Sequence, residues 1–189
     1  MVTLADSMRK ILYLHGFGSC GVSNKTTTIK AYFGKDNVLS PDLKASPLEA
    51  IAQIEQTVHN IQEYLLIGSS LGGFYATYLA EKYGLQAVLI NPSTQPWKTL
   101  APYVGIQKRF CDEQVFDFKK SYLEALKTLQ VLPQKGHYLL LLQSEDEVLD
   151  YTKAQSLYNK HRIIVEHGGN HRFENIDDYL SMIENFKNK

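Results

Sequence analysis

A three-layer α/β fold, with a compact and mostly parallel sheet carrying helices on both faces, follows from three observations. Short apolar runs alternate with helical patterns along the chain. The runs are continuous rather than polar at every second residue, as strands covered on both faces require. The chain has 189 residues, enough for one domain with a substantial core, so 1–189 is read as a single domain.

The elements follow in order. Lys10–Leu14 reads as the first strand. Asn24–Phe33 reads as a helix with Ser23 or Asn24 as N-cap, and Asn37–Leu39 as a short strand ended by Pro41. Pro47–His59 reads as a helix, with Ser46 as N-cap, proline at the first position, and Leu48, Ile51, Ile54 and Val58 on one buried face. Tyr64–Ile67 is a strand and Phe74–Tyr83 a helix. Ala87–Ile90 is a strand closed by Asn91-Pro92, and His137–Gln143 holds the strongest strand run. Tyr151–Lys160 reads as a helix, Ile163–Glu166 as the last strand and Ile176–Phe186 as the terminal helix. Residues 93–135 exceed an ordinary connection, and aromatic residues lie among charges there. The segment reads as a small lid or pocket wall, the alternative being a helical insertion packed for stability.

Composition excludes several classes. Lys+Arg and Asp+Glu are 20 each, so no basic excess points to nucleic acid and no polybasic cluster to a membrane surface. No apolar run approaches the ~18–20 residues of a membrane span. Met1–Met8 contains Asp6 and lacks the long apolar core of a signal peptide. Cys20 and Cys111 are far apart, offer no zinc spacing and are read as free of a disulfide framework, which makes a cytoplasmic location the expectation.

Gly68-Ser69-Ser70-Leu71-Gly72 carries the chemistry. Gly-x-Ser-x-Gly between a buried strand and a helix is the nucleophile elbow of α/β-hydrolases, a tight turn that raises a serine Oγ above the sheet edge. Gly68 and Gly72 flank Ser70 because larger residues would crowd that turn. A serine needs a base, and the base needs an orienting acid. Asp146 follows the strand at 138–143 and His171 follows the last strand in Gly168-Gly169-Asn170-His171, giving the order Ser70, Asp146, His171. Both lie beyond C-terminal strand ends, where open α/β sheets place their sites.

Glu145, Glu147 and Asp150 compete with Asp146, which sits three residues past the strand with Val148 and Leu149 as apolar loop anchors. Among the histidines, His167 is the main rival of His171 but sits at a strand end, and His59, His137 and His161 read as surface residues. His167 and His171 are four apart, yet Gly168-Gly169 argues against a helical zinc pair, and no metal is expected. Oxyanion donors are expected from the backbone N–H groups of Leu71 and Phe17, the second in the loop His15-Gly16-Phe17-Gly18-Ser19. Gly16 permits the turn, and His15 is assigned to orienting the loop rather than to proton transfer. Residues 16–21 also match G-x-G-x-x-G, with Asp42 near the distance of a ribose-binding acid. A polar strand end at His15, Pro41 before Asp42 and a delayed helix weigh against a nucleotide, and no cofactor is expected. No Walker lysine follows the glycines at 68–73.

The chain resembles the YqiA-like esterases, small bacterial α/β-hydrolases without a large cap, over nearly its whole length. The resemblance rests on Tyr13-Leu14-His15-Gly16-Phe17, Ile67–Thr77, Asn91-Pro92, Asp146-Glu147-Val148-Leu149-Asp150-Tyr151 and Gly168-Gly169-Asn170-His171-x-Phe173. It implies nucleophile, acid and base at Ser70, Asp146 and His171, and activity on short acyl esters and acyl-CoA thioesters. Glu145 departs from the glycine expected before the acid. The expected partner is thus a small acyl ester or thioester, with no nucleic acid and no membrane; oligomeric state stays open. The alternatives are a non-catalytic binding module on the same fold, or the same triad used for C–C bond hydrolysis or haloperoxidase chemistry.

Overall fold

The computed structural model describes residues 9–188; the reading of Met1–Met8 lies outside them. Six parallel strands form the sheet: β1 (Lys10–Leu14), β2 (Val38–Leu39), β3 (Tyr64–Ser69), β4 (Gln86–Ile90), β7 (His137–Gln143) and β8 (Arg162–Glu166), in spatial order β2-β1-β3-β4-β7-β8. The order reverses between β1 and β3, which pair in register from Lys10↔Tyr64 to Leu14↔Gly68. Such a reversal splays the loops beyond the two strands apart and opens a crevice at their C-terminal ends.

The expected three layers are present, and alternation along each strand builds two cores. Leu12, Leu14, Leu66, Leu89, Leu140 and Leu142 point to one face. There they meet α2 (Pro47–Thr57), α3 (Leu71–Tyr83) and α5 (Lys120–Thr128). Ile11, Tyr13, Leu65, Ile67, Val88, Leu139 and Leu141 point to the other, against α1 (Asn24–Phe33) and α7 (Leu180–Lys187). Leu65, Leu66 and Ile67 are consecutive and all fully buried, which is why the run carries no polar alternation.

Local chemistry sets the ends. Ser23 caps α1 in a reciprocal box with Thr26. Helix α2 stops at Thr57, two residues short of the expected His59, and β-branched Val58 after it is extended. Leu48 is half exposed rather than on the buried face, which Ala50, Ile51 and Ile54 form. Helix α6 (Tyr151–Leu157) ends before Lys160, and buried Tyr158, just after it, has its hydroxyl 2.6 Å from that of Thr77. The C-terminal helix is split: Ile176–Tyr179 is a tighter turn, and α7 follows.

Residues 93–135 differ most from expectation. They contain α4 (Pro96–Thr99), an antiparallel hairpin of β5 (Gly105–Lys108) and β6 (Val115–Phe118), and α5. The reading as a small lid or pocket wall names no hairpin, yet Arg109, Val115 and Phe116 of this segment do line a cavity. The hairpin tip reaches the loop after β1 and sets Cys111 against Cys20, with Cα atoms 6.2 Å apart and the sulfurs bonded. The reading of these cysteines as unpaired is therefore corrected; a sequence separation of 91 says nothing about distance once a hairpin folds back.

Candidate active site

Ser70 stands between β3 and α3 with φ 54° and ψ −119°. A non-glycine residue held at positive φ costs about 1–3 kcal/mol and persists only where its surroundings over-determine it. Here they do. Ser70 N–H donates to the Ile90 carbonyl at 3.0 Å, and its own carbonyl accepts from Gly73 and Ser93, each at 3.0 Å. A Cβ on residue 68 would fall on the Gly72 backbone, and one on residue 72 on the Leu14 carbonyl oxygen. The glycines thus let the elbow, the strand and the β1 loop touch.

Three side chains from three strand ends meet at this turn. Ser70 Oγ lies 3.0 Å from His171 Nε2, and His171 Nδ1 lies 2.8 Å from Asp146 Oδ2 and 3.0 Å from Oδ1. The carboxylate offers only acceptors, so Nδ1–H donates to it and Nε2 is left to accept the Ser70 hydroxyl proton. Asp146 Oδ1 also accepts from Val148 N–H at 2.9 Å and Leu149 N–H at 2.8 Å, in the turn after β7. Its side chain is 2% exposed against 19% for His171, so the acid is sealed while the imidazole reaches the cleft.

The rivals stand outside the chain that links Asp146, His171 and Ser70. Asp150 caps α6 through Thr152, and this hydroxyl and backbone bonding holds its carboxyl below the usual carboxylate range. Glu145 is exposed. Glu147 accepts the His171 N–H at 2.9 Å, and that bond leads in drawing its carboxyl below the usual range. His59, His137 and His167 are exposed. His161 is half-buried against the Tyr138 ring rather than on the surface. Val148 is more than half exposed, which corrects its reading as an apolar anchor.

A polar network behind His171 was not read from the sequence. Asn170 N–H donates to Gln143 Oε1 at 2.9 Å, and Gln143 Nε2 donates to Glu166 and Asn175, each at 2.7 Å. Asn91, at φ 40°, donates to the Asn170 carbonyl at 3.1 Å and accepts Gln143 N–H at 2.9 Å. Gly169 sits at φ 77° against the Gln143 side chain. The one signal available was a glutamine ending an otherwise apolar strand.

His15 is buried, accepts Leu43 N–H on Nε2 at 2.9 Å and therefore donates through Nδ1 to the Gly16 carbonyl at 2.8 Å. Burial leads in pushing its pKa down, which favours this neutral tautomer. Gly16 lies against Ser70: a Cβ there would be 3.2 Å from the Ser70 Cβ. The Phe17 ring packs on Tyr103, Phe116 and Phe118. Among the described residues, neither Phe17 N–H nor Leu71 N–H is used in the protein's own hydrogen bonds. Asp42 accepts Gly21 N–H at 2.7 Å and pairs with Arg109, so it closes the 16–21 loop. A cavity of about 340 Å³ adjoins the elbow, with Phe17, Leu43, Leu71, Tyr75 and Phe116 as its apolar wall and Lys44, Gln53 and Arg109 on its polar side.

A family model described as "Uncharacterised protein family (UPF0227)" matches residues 10–188. The chain belongs to the UPF0227 family. This is the family of the YqiA and YcfP proteins, so the resemblance seen in the sequence holds at family level. A UPF0227 protein of Vibrio parahaemolyticus is 28% identical over 188 residues, 94% of this chain and 99% of that protein. YcfP of Salmonella paratyphi A is 24% identical over 193 aligned residues, covering 94% and 98%. Among solved structures, mouse alpha/beta hydrolase domain-containing protein 10 superposes with TM-score 0.74 at 14% identity, over 95% of this chain and 89% of that one. A monoacylglycerol lipase from Paleococcus ferrophilus gives 0.71 at 15% identity, over 94% and 93%. An esterase domain from Rhodothermus marinus gives 0.66 at 21%, over 96% and 85%. These likenesses establish the α/β-hydrolase fold. No helix among the described residues is long and apolar enough to cross a membrane.

Proposed function

We propose that the protein is a serine hydrolase that cleaves carboxylic esters of small acyl groups, acyl-CoA thioesters included, through a covalent acyl-enzyme. The observation that carries this reading is the unbroken hydrogen-bond chain from Asp146 through His171 to a serine held at φ 54°. Ser70 Oγ attacks the acyl carbonyl while His171 Nε2 takes its proton. Asp146 fixes the tautomer and stabilises the imidazolium. The Leu71 and Phe17 amides, free of other partners, receive the oxyanion, and each such donor is worth about 3–4 kcal/mol in the transition state. His171 then protonates the leaving alcohol or thiol. Water, deprotonated by the same imidazole, releases the acid. The structures named as an esterase domain and a monoacylglycerol lipase share the fold, which supports ester chemistry by analogy.

The test is hydrolysis of p-nitrophenyl esters from acetate to octanoate and of the matching CoA thioesters, by wild type, Ser70→Ala and His171→Ala. Wild type turns over the shorter esters with a pre-steady-state burst, and both variants lose at least a thousandfold in kcat. Equal rates for wild type and Ser70→Ala would overturn the proposal.

A further inference from the structure

The tip of the β5–β6 hairpin is fastened to the loop after β1 at three points. Phe110 N–H donates to the Gly18 carbonyl at 2.7 Å. Arg109 pairs with Asp42 at 3.1 Å, and Asp42 in turn accepts Gly21 N–H. Cys111 is bonded to Cys20. Two of these links are weak: a pair with an exposed carboxylate is screened by solvent, and a single hydrogen bond replaces one made to water. The base of the hairpin is anchored by Phe118 in the core, and at its tip the covalent link is the strongest tie. Phe17 lies between the two segments, its ring wedged against Phe116 and Phe118, and it directly follows Gly16, which lies against Ser70.

We propose that Cys20 and Cys111 form a thiol–disulfide switch that fastens the hairpin to the oxyanion loop in the closed state and releases it in the open one. This rests on the assignment of Ser70 as nucleophile and Phe17 as oxyanion donor. Cys20 is buried and Cys111 exposed, so the bond is approached at the Cys111 sulfur. The thiolate of a low-molecular-weight thiol attacks Cys111 Sγ. The S–S bond breaks, and Cys20 leaves as a thiolate and takes up a proton. A second thiol attacks the mixed disulfide, leaving Cys111 as a thiol and the two small thiols joined as their own disulfide. Two small thiols are oxidised for one protein disulfide reduced, and excess small disulfide runs the steps backwards. The closed form is the more active, because it holds the Phe116 wall and the Phe17 amide in register with Ser70.

Protein purified without reductant is divided, and one half is incubated with reduced glutathione. Thiols are counted by alkylation and intact mass, ester hydrolysis is measured, and amide hydrogen exchange is read over residues 16–21 and 105–118. Wild type is expected to show no alkylated thiol when oxidised and two when reduced. Exchange in both segments is expected to quicken on reduction, with kcat/KM at least about tenfold lower, within the roughly hundredfold that a 1 Å misplacement can cost. Cys111→Ser is expected to match the reduced wild type under both conditions, and oxidised glutathione to restore wild type alone. Thiols that never close, unchanged exchange, equal activity of the two forms, or a metal ion held by both thiolates and Asp112 would each overturn the switch. If neither form hydrolyses an ester or carries a reactive Ser70, the function has failed; thiol count and exchange still decide the switch.

Discussion

The sheet and the hairpin solve the same problem by different means. Each must hold a group beside Ser70 to within a fraction of an ångström. At the sheet end, position is fixed by close packing: Leu14, Leu66 and Leu140 are fully buried, and the elbow glycines let three backbones touch. At the hairpin only Phe118 enters the core, and the tip is fixed by a few discrete links, because Ile106, Phe110 and Val115 stand mostly in solvent. Ser70, His171 and Asp146 hang from the sheet end, while one cavity wall and the links to the Phe17 loop hang from the hairpin. Damage to the first should abolish chemistry or folding; damage to the second should tune substrate use.

That contrast can be broken in graded steps. The largest effect is expected from Asp146→Asn. It preserves shape but presents a donor to His171 Nδ1, so the imidazole no longer offers Nε2 as acceptor, and kcat should fall about ten-thousandfold with an unchanged urea midpoint. Leu140→Ala, at a fully buried sheet position, should lose about 2–5 kcal/mol of stability in urea titration. Activity per folded molecule should be largely kept. Phe116→Ala removes a half-buried ring from the cavity wall and should cost only about 1 kcal/mol of stability. Its mark should be a raised KM with kcat nearly intact. A collapse of kcat instead would mean that the hairpin belongs to the catalytic half.

The smallest effect is a pH dependence at His15. Its folded pKa lies below the ordinary value of 6.5, so the stability it contributes is full above that pH and is lost as pH falls through the folded pKa. Protonation would put a hydrogen on Nε2, the atom that accepts Leu43 N–H. Wild-type Tm should therefore drop between pH 7 and pH 5 by more than that of His15→Gln, which does not titrate; parallel profiles would exclude His15 as the cause.

The same contrast explains what the sequence discloses. The buried strands are apolar at consecutive positions such as Tyr138 to Leu142, a pattern visible without knowing any partner. Gly68-x-Ser70-x-Gly72 is local, and the Gly168-Gly169 turn before His171 follows the last strand directly, so chain order narrows the choice of acid and base. The hairpin carries no such signal. Gly105–Lys108 and Val115–Phe118 are short and half-polar, and they pair only with each other, apart from the main sheet. Cys20–Cys111 and Arg109–Asp42 are contacts across 91 and 67 residues, which no local pattern encodes. Gln143 was hidden for a different reason: a polar side chain at a strand end is ordinary until its partners are known.

The most direct test of the central claim is intact mass after exposure to a fluorophosphonate, with Ser70→Ala and His171→Ala treated alongside. The account predicts one adduct on wild type, none on Ser70→Ala and slow, partial labelling of His171→Ala. A folded wild type that stays unlabelled, or a Ser70→Ala protein that labels equally well, would contradict it.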